Sequence, residues 1–493
     1  MQFEHLPATQ ILIPLIGAVF ILASRKNIVI WATVSLLTLL TFINSILLYK
    51  QVSASGIISY AMGGWEPPIG IEYRIDSVNS ILIVLVSFMA LLVALYARKS
   101  IEVEIVAEKR PVFYAMYLLC LTGLLGILAT GDAFNAFVFL EISSLSTYVM
   151  IAMGKDKRSL IASYQYLIMG TIGATFYVIG IGLIFIMTGS LNLNDISEQI
   201  NNVSTIRPIL ASLAFITVGI SLKLALFPLH SWLPNAYTYA PSVATAFLAS
   251  TATKVAVYLL IRYFFDVYGY NIVFEDYWLS MLLIILSIAA MIGASLVAIF
   301  QNNIKKMFAY SSIAQMGYIT LGVAIANHSG LVGSLVHIIN HALIKGTIFM
   351  AIGCFVMKLN STTIEDFAGI GKKMPLTMTA FTIASLSLIG IPGTVGFISK
   401  WYIITGAIEK GWWWLVISIA LSSLLALVYV GRIIEIAWFQ EPKIKENTIR
   451  LSHEMIGVTL IASITTLYFG LNTELTVDLA KIAADSLLSG ISK

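Results

Sequence analysis

The chain has 493 residues, of which 59% are hydrophobic and only 11% are charged, and its formal net charge is +4. A soluble domain carries about 25% charged residues, so this composition excludes a soluble protein. The apolar runs are long and continuous, unlike the alternating segments of about ten residues in a membrane barrel. We therefore predict an all-α polytopic membrane protein. The basic residues lie mostly between the runs, and they give no indication of a nucleic-acid partner.

The sequence shows no sign of a redox or nucleotide chemistry of its own. The two cysteines, Cys120 and Cys354, both lie in apolar runs, which favours neither a disulfide framework nor a metal or iron–sulfur site. No CxxC pair, GxGxxG turn or P-loop occurs. We therefore expect no cofactor, no metal and no enzymatic activity in this chain. The first ten residues carry no lysine or arginine, so the first span is predicted to be retained rather than cleaved as a signal peptide.

Fourteen membrane spans are predicted. The spans cover roughly 9–24, 28–49, 77–98, 112–130, 133–153, 159–187, 207–262 (the seventh and eighth together), 277–301, 304–326, 330–357, 376–407, 411–438 and 454–471. The polar insert after the second span contains glycine and proline turn residues, which favour a small hairpin outside the bilayer. The tail at 474–493 is amphipathic and is predicted to lie along the membrane interface.

The distribution of basic residues predicts the orientation, because lysine and arginine accumulate in cytoplasmic loops. They gather after odd-numbered spans. These residues are Arg25, Lys26, Arg98, Lys99, Lys109, Arg110, Lys155, Lys157, Arg158, Lys305, Lys306, Lys358, Lys372, Lys373, Arg432, Lys443, Lys445 and Arg450. After even-numbered spans only scattered ones occur, namely Lys50, Arg74, Arg207, Arg262 and Lys410. Both termini are therefore expected to face away from the cytoplasm.

The stretch 207–262 carries a lysine deep inside each of two apolar runs, Lys223 and Lys254. A lysine at bilayer depth costs roughly 3 kcal/mol on insertion scales, so it normally faces a partner or a wet cavity. Pro228 lacks an amide proton and is expected to break the seventh helix just beyond Lys223. A broken membrane helix beside a buried charge is typical of a transporter site.

A second break is predicted in the twelfth span, at Pro392 and Gly393 within IGIPGTVGFISKW. A tryptophan follows each break at short distance, Trp232 after the first and Trp401 after the second. The breaks are five spans apart, and an odd offset would place two related units in opposite orientations. The alternative is that proline and glycine are simply common in membrane helices.

Glu141 lies in the middle of the fifth span, with Ser144 on the same helix face. It is either a hydrogen-bonding residue that joins helices, or a proton site and the counter-ion of a lysine.

In the eleventh span, His337, His341 and Lys345 recur at intervals of four, and this spacing places them on one helix face. Such a column favours a proton relay over separate hydrogen-bonded core residues, since histidine titrates near neutral pH. Zinc is disfavoured because no third ligand lies nearby.

Lys400 follows the second break on an otherwise apolar helix. Its side chain either has a functional role or extends to the interface from near a helix end. His230 lies in the first break and could equally be structural. Asp132 and Asp76 are predicted to be helix N-caps.

The pattern resembles the antiporter-like proton-pumping subunits shared by respiratory complex I and the multisubunit Mrp (Mnh, Sha) Na⁺/H⁺ antiporters. The resemblance covers nearly the whole chain. Its motifs are FVFLEISSLSTYVMIA, SLKLALFPLHSWLPNAYTYAPSVATAFLAS, KKMFAYSSIAQMGY, HIINHALIKGTIFM and IGIPGTVGFISKW. Length, the SKW context and the EISSLSTY run favour the Mrp D branch of the antiporter subunits. A lysine at position 400 is also compatible with the smallest antiporter-like subunit of complex I.

The resemblance implies two inverted five-helix repeats, formed by spans 4–8 and 9–13 with broken helices 7 and 12. The corresponding divisions are 1–110, 111–265, 266–440 and 441–493. It implies that Glu141 pairs with Lys223, that Lys254 connects the two halves, and that Lys400 ends the path. The polar column of the eleventh helix is matched by His337, His341 and Lys345.

By this resemblance the chain is expected to conduct protons in a bacterial cell-membrane Na⁺(Li⁺)/H⁺ antiporter, in which inward proton flow drives sodium extrusion and sets cytoplasmic pH. Its partners would be the A, B, C, E, F and G subunits, with membrane lipids around it, and sodium would pass through a neighbour. The alternative is a membrane subunit of complex I, whose redox centres lie in other chains. A solitary organic-solute transporter would instead require a roomy pocket and activity without partners.

Overall fold

The computed structural model describes residues 4–24, 26–275, 279–442 and 451–489. Four of the basic residues used in the orientation argument lie outside these ranges, namely Arg25, Lys443, Lys445 and Arg450. The last four residues of the predicted amphipathic tail also lie outside them.

The described chain is almost entirely helical. The first helices are α1 Leu6–Leu22, α2 Asn27–Ser55, α3 Ser77–Glu104, α4 Arg110–Ala129, α5 Ala133–Ala152, α6 Arg158–Thr188, α7 Leu193–Ile200, α8 Ile206–Leu224, α9 Trp232–Tyr239, α10 Ser242–Ser250 and α11 Ala252–Ile261. The later ones are α12 Leu279–Ile299, α13 Ile304–Ile325, α14 His328–Leu359, α15 Ile370–Lys373, α16 Pro375–Ile389, α17 Val395–Glu409, α18 Trp413–Phe439, α19 His453–Leu471 and α20 Glu474–Leu488. A π-helical turn, Arg262–Val267, continues α11, and a second one covers Asn271–Glu275.

The predicted hairpin in the insert after the second span is confirmed. Strands β1, Ile58–Ala61, and β2, Glu72–Ile75, pair antiparallel, with Ile58 opposite Ile75. We call the end of the molecule that carries this hairpin, α7 and the end of α20 the hairpin face. The orientation argument predicts that this face lies outside the cytoplasm.

Within the described residues, twelve helical segments are long and apolar enough to cross a membrane. The shorter apolar helices α1 and α16 complete the fourteen predicted spans, because α16 continues across a break into α17. The all-α polytopic prediction is therefore confirmed.

The predicted helix caps are also confirmed. Asp76 accepts from the amides of Val78 and Asn79, and Asp132 accepts from the amide of Asn135 at 2.7 Å.

Both predicted breaks are present. The first helix of the seventh span, α8, ends at Leu224, and Ala225 adopts a left-handed conformation with φ of 59°. Between α16 and α17 the chain turns through two glycines with positive φ, Gly390 at 89° and Gly393 at 83°. Glycine is suited to these positions because it lacks a Cβ that would clash there. The Pro228 and Pro392–Gly393 regions therefore interrupt helices at membrane depth.

Two short backbone bridges support the predicted repeat. At the start of α5, Asp132 pairs antiparallel with Asn192, which lies just beyond α6. At the start of α13, Asn303 pairs in the same way with Thr363, which lies just beyond α14. In each case the first bridge residue caps its helix, since Asn303 accepts from the amide of Lys306 at 3.1 Å. Two related helical units would produce this correspondence, and the division at 111–265 and 266–440 stays a prediction.

Candidate functional site

Glu141 and Lys223 form an ion pair between α5 and α8. The Lys223 Nζ lies 3.4 Å from Glu141 Oε1 and donates to Ser144 Oγ at 2.6 Å. The lysine side chain is 6% exposed and the glutamate side chain is 26% exposed. Ser144 faces Lys223 because it lies one turn beyond Glu141 on the same face of α5. A buried ammonium is thereby met by one carboxylate and one hydroxyl.

The break after α8 fixes the position of Lys223 on the last turn of that helix. Interrupting the helix leaves carbonyls of its last turn without intrahelical partners. Trp232, the first residue of α9, donates from Nε1 to the carbonyl of Leu222 at 2.9 Å. Its indole ring stacks on Tyr166 of α6 with ring centroids 3.8 Å apart. The two halves of the broken span are thus joined beside the lysine.

A small cavity of about 20 Å³ adjoins Lys223, and we call it the inner cavity. Its walls include Ser144 and Thr147 of α5, Cys120 of α4 and Ala252 of α11. A single water needs about 10–15 Å³ on this measure, so the inner cavity has room for roughly one water. It is far too small for an organic solute.

Lys254 lies beside a third break that the sequence analysis missed. The eighth span is interrupted between α10 and α11 at Thr251, and the Lys254 Nζ donates to the carbonyl of Ala249. Thr253 Oγ1 also accepts from Lys254 at 3.4 Å. The available signal was the pair Ser250–Thr251, because hydroxyl side chains compete for backbone hydrogen bonds and often bend helices. Thr251 does so here, donating to the carbonyl of Phe247 at 2.7 Å.

The predicted column on α14 is fully buried. His337 Nδ1 lies 2.7 Å from Ser399 Oγ of α17, and its Nε2 lies 2.9 Å from Gln315 Oε1 of α13. The ring of His341 stacks on that of His337 with centroids 6.0 Å apart. Neither ring nitrogen of His341 has a hydrogen-bond partner among the described residues.

The last member of that column, Lys345, reaches α13. Its Nζ donates to the carbonyl of Phe308 at 2.9 Å and to Ser311 Oγ at 2.8 Å. The helix α10, which ends at the break beside Lys254, packs against α14. The break beside Lys254 therefore lies next to the column on α14.

Lys400 points into the second break instead of extending to the interface. Its Nζ donates to the carbonyls of Ile389 at 2.8 Å and Leu388 at 3.3 Å, and to Ser423 Oγ of α18 at 3.0 Å. It also lies 4.5 Å from the centre of the Tyr318 ring. These carbonyls end α16 at the break, and a cation there also suits the negative end of the helix dipole.

Other charges take positions that sequence reasoning did not foresee. Lys305, counted as a loop charge, is 4% exposed, and its Nζ donates to the carbonyl of Ala240 at 3.2 Å. Glu104 accepts from the amide of Ser242, at the start of α10, at 2.8 Å. No spacing in the sequence signals either contact, because each joins segments far apart in the chain.

Together, all seven predicted ionisable residues lie inside the helical bundle. They are Glu141, Lys223, Lys254, His337, His341, Lys345 and Lys400. The helices around them pack against one another, α5 and α8 through the ion pair, α8 against α11, α10 against α14 just before the break beside Lys254, and α14 against α17. Ionisable side chains inside a membrane bundle mark ion or proton pathways. The fold and this arrangement define the class of ion-translocating polytopic membrane proteins.

The family follows from comparison with known proteins. The family model described as NADH:quinone oxidoreductase/Mrp antiporter, TM, matches residues 130–426, and the chain belongs to this family. It is 44% identical to the N subunit of NADH-quinone oxidoreductase from Desulforudis audaxviator, over 77% of this chain and 75% of that protein. It is 29% identical to the D-type Na⁺/H⁺ antiporter subunit of Bacillus subtilis, over 97% of this chain and 96% of that protein.

Solved structures of other membrane complexes contain chains with the same fold. A chain of the archaeal membrane-bound sulfane sulfur reductase superposes with a TM-score of 0.89 at 32% identity, covering 98% of this chain and 97% of that one. A chain of the Mrp complex from Dietzia superposes with a TM-score of 0.90 at 22% identity, covering 99% and 98%, which shows the shared fold. The resemblance stated from the sequence motifs is confirmed, and the chain is an antiporter-like membrane subunit whose relatives belong to multisubunit complexes.

Proposed function

We propose that this chain conducts protons as a subunit of a hetero-oligomeric Na⁺(Li⁺)/H⁺ antiporter, in which inward proton flow drives sodium extrusion and so controls cytoplasmic pH. The observation that carries the proposal is the Glu141–Lys223 ion pair beside a helix break, 3.4 Å long and only partly exposed. An ion pair at this depth is stable only while its two charges stay together. Movement of either helix therefore changes which group holds the proton.

The other buried ionisable side chains are the next proton carriers in the proposal. A proton released at Lys223 would pass to Lys254, then to Lys345 and His341, and then through His337 toward Lys400. Each site except His341 is held by a polar side chain or a backbone carbonyl. The two ring nitrogens of His341, which have no hydrogen-bond partner in the described part of the chain, suit a group that both accepts and releases a proton. None of these groups forms an acidic cluster suited to sodium, so sodium is assigned to a neighbouring subunit.

The proposed assembly comprises the A, B, C, E, F and G subunits beside this chain in the bacterial plasma membrane, with both termini outside. The Bacillus subtilis relative is named as the D-type member of an Na⁺/H⁺ antiporter, and it aligns over 97% of this chain. The inner cavity of about 20 Å³ leaves no room for an organic solute beside Lys223.

A second candidate is the antiporter-like membrane subunit of a redox-driven proton pump of the complex I type. The 44% identity to the N subunit of an NADH-quinone oxidoreductase favours it. In both candidates this chain moves protons, and they differ in what drives it. In the first, inward proton flow is coupled to sodium extrusion, and in the second, electron transfer in partner chains drives the proton flow.

The experiment that decides between them uses the whole complex, purified with its own partners and reconstituted in vesicles. An imposed sodium gradient is expected to produce a pH gradient without any electron donor. Proton movement that requires a reduced donor, and is insensitive to sodium, would favour the redox-driven pump. No proton movement under either condition would contradict both.

Replacing Lys400 with glutamine is expected to lower sodium-driven proton movement by about tenfold or more. The variant removes the cation at the break after α16, and the proton pathway loses its last carrier. Lys410→Gln is the matched control, since Lys410 is an exposed lysine at the end of the same helix. The measurement is the initial rate of vesicle acidification per assembled complex. Equal rates for the two variants would remove Lys400 from the pathway.

A further inference from the structure

A large cavity opens at the hairpin face, away from the row described above. Its volume is about 1050 Å³, and we call it the vestibule. Its walls come from the β2 strand, α7, the π-helical end of the eighth span and the end of α20. Charged side chains line it, namely Arg74, Asp76, Glu198, Arg262 and Asp266. A charged, polar cavity of this size at one end of a membrane bundle is accessible to water.

The inner end of the vestibule is built around Arg262. This guanidinium bridges two carboxylates, pairing with Asp76 and, at 2.5 Å, with Asp266. Its Nε donates to the hydroxyl of Tyr258, which donates to the carbonyl of Leu128 at 3.1 Å. Of the two carboxylates, Asp266 is the accessible one, with 33% of its side chain exposed against 6% for Asp76.

The backbone is also unusual here. Arg262–Val267 forms a π-helical turn, in which the amide of Tyr268 donates to the carbonyl of Tyr263. Such turns are rare and occur often at functional sites.

The vestibule and the inner cavity share one wall. Of the described residues, Ile127 alone lines both cavities. Leu124, one turn earlier on α4, lines only the inner cavity, and Thr130, the residue just after α4, lines only the vestibule, so the lining passes from one cavity to the other at Ile127. The Ile127 side chain, which is 2% exposed, therefore stands between the vestibule and the cavity at Lys223.

The eighth span repeats this arrangement from the other side. Val255 and Ala256 of α11 line the inner cavity, and Tyr258 and Leu259, one turn further on, line the vestibule. Two helix faces thus lead from the same cavity at Lys223 to the same vestibule. Ile127, the residue that the two cavities share, is apolar, and an apolar constriction blocks ions by excluding water.

We propose that the vestibule is an entrance for protons from the hairpin face to the Glu141–Lys223 pair, and that Ile127 is the hydrophobic gate that closes it in this conformation. This inference rests on the proposed proton-conducting function. When Ile127 moves aside, water joins the two cavities, and a proton from the vestibule reaches Glu141 as another leaves Lys223. The site has access to one side of the membrane while the gate is open and is isolated from it while the gate is closed.

The chain contains its own reporter for this gate. Cys120 lines the inner cavity, lies 3.4 Å from Thr147 Oγ1 and is fully buried. Silver ion, a small monovalent cation, reacts with a thiol by replacing its proton. The complex is placed in vesicles of known orientation with Cys354→Ser in this chain, so that Cys120 is its single thiol. Silver is added to one side, and the modified Cys120 peptide is quantified by mass spectrometry over time.

Ile127→Ala is expected to raise the rate of Cys120 modification by about tenfold when silver is added on the hairpin face, because the apolar barrier is shortened. Leu124→Ala is the matched control. It removes a comparable side chain from the same helix and enlarges the inner cavity, but it leaves the shared wall intact. Its rate should equal that of the Cys354→Ser parent. Ile127→Val should give a smaller increase in the rate of Cys120 modification. It replaces Ile127→Ala in the experiment if the alanine variant does not assemble.

Equal rates for Ile127→Ala and Leu124→Ala, or acceleration only from the opposite side, would overturn the gate. Because silver labelling measures access and not transport, this result is separate from the test of the proposed function. Loss of sodium-driven exchange in the unmodified complex would contradict the function, whatever the labelling shows. Retained exchange with no acceleration at Cys120 would contradict the entrance alone.

Discussion

Glu141→Gln is expected to lower sodium-driven proton movement by about two orders of magnitude, the range found when a positioned proton-transfer group is removed. Glutamine keeps the size of the side chain and its ability to hydrogen-bond, but it cannot bind or release a proton. Lys223 would keep its 2.6 Å bond to Ser144 and lose the carboxylate at 3.4 Å. The measurement is the initial rate of sodium-dependent pH change in vesicles, normalised to the amount of assembled complex.

The control is Glu435→Gln, which removes a carboxylate from membrane helix α18 at an exposed position. It should leave the rate unchanged. Lys223→Gln should be as damaging as Glu141→Gln, and the double variant no worse than either single one, because groups that act as a unit are not additive. Wild-type exchange in an assembled Glu141→Gln complex would remove the pair from the pathway.

Much of this fold was predictable because membrane spans and helix breaks have local causes. The spans follow from runs of apolar residues, and the break at Pro228 follows from a missing amide. The break near Gly393 follows from a backbone conformation that glycine alone adopts readily. The caps at Asp76 and Asp132 likewise depend on residues only two or three positions away. Each of these predictions needed no knowledge of which helices touch.

The contacts that the sequence did not predict depend on packing. Asp76 was interpreted only as a cap and Arg262 as a scattered loop charge, yet they pair across 186 positions of the chain. The shared wall at Ile127 arises from how α4 packs against α11, and an isoleucine in an apolar run carries no signal of it. The guanidinium of Arg432, counted from the sequence only as a basic loop residue, is directed at the carbonyls of Ile299 and Gln301.

Replacing Arg262 with methionine is expected to destabilise the protein by about 3–5 kcal/mol, because breaking a buried ion pair leaves a charge without compensation. Asp76 is 4% exposed and is held in place by its capping bonds. Burial alone would raise the pKa of the Asp76 carboxyl. The guanidinium of Arg262 and the amides of Asn79 and Val78 outweigh that effect and hold the pKa below its ordinary value of 3.8.

Because folding lowers this pKa, the stabilising contribution is fully present above pH 3.8 and is lost as the pH falls through the folded value. At neutral pH the thermal unfolding midpoint of the purified complex should therefore fall clearly for Arg262→Met. It should change little for Arg158→Met, whose ion pair with Asp156 is at the surface.

Asp76→Asn separates the charge of Asp76 from its capping role, since asparagine caps helices about as well as aspartate. Alone it should cost less than Arg262→Met, because Arg262 keeps its contact with Asp266. Combined with Arg262→Met it should restore part of the lost stability, since the buried carboxylate is then gone. If the double variant is instead as unstable as the sum of the two single ones, Arg262 stabilises the protein by its packing against Tyr258 and not by its charge.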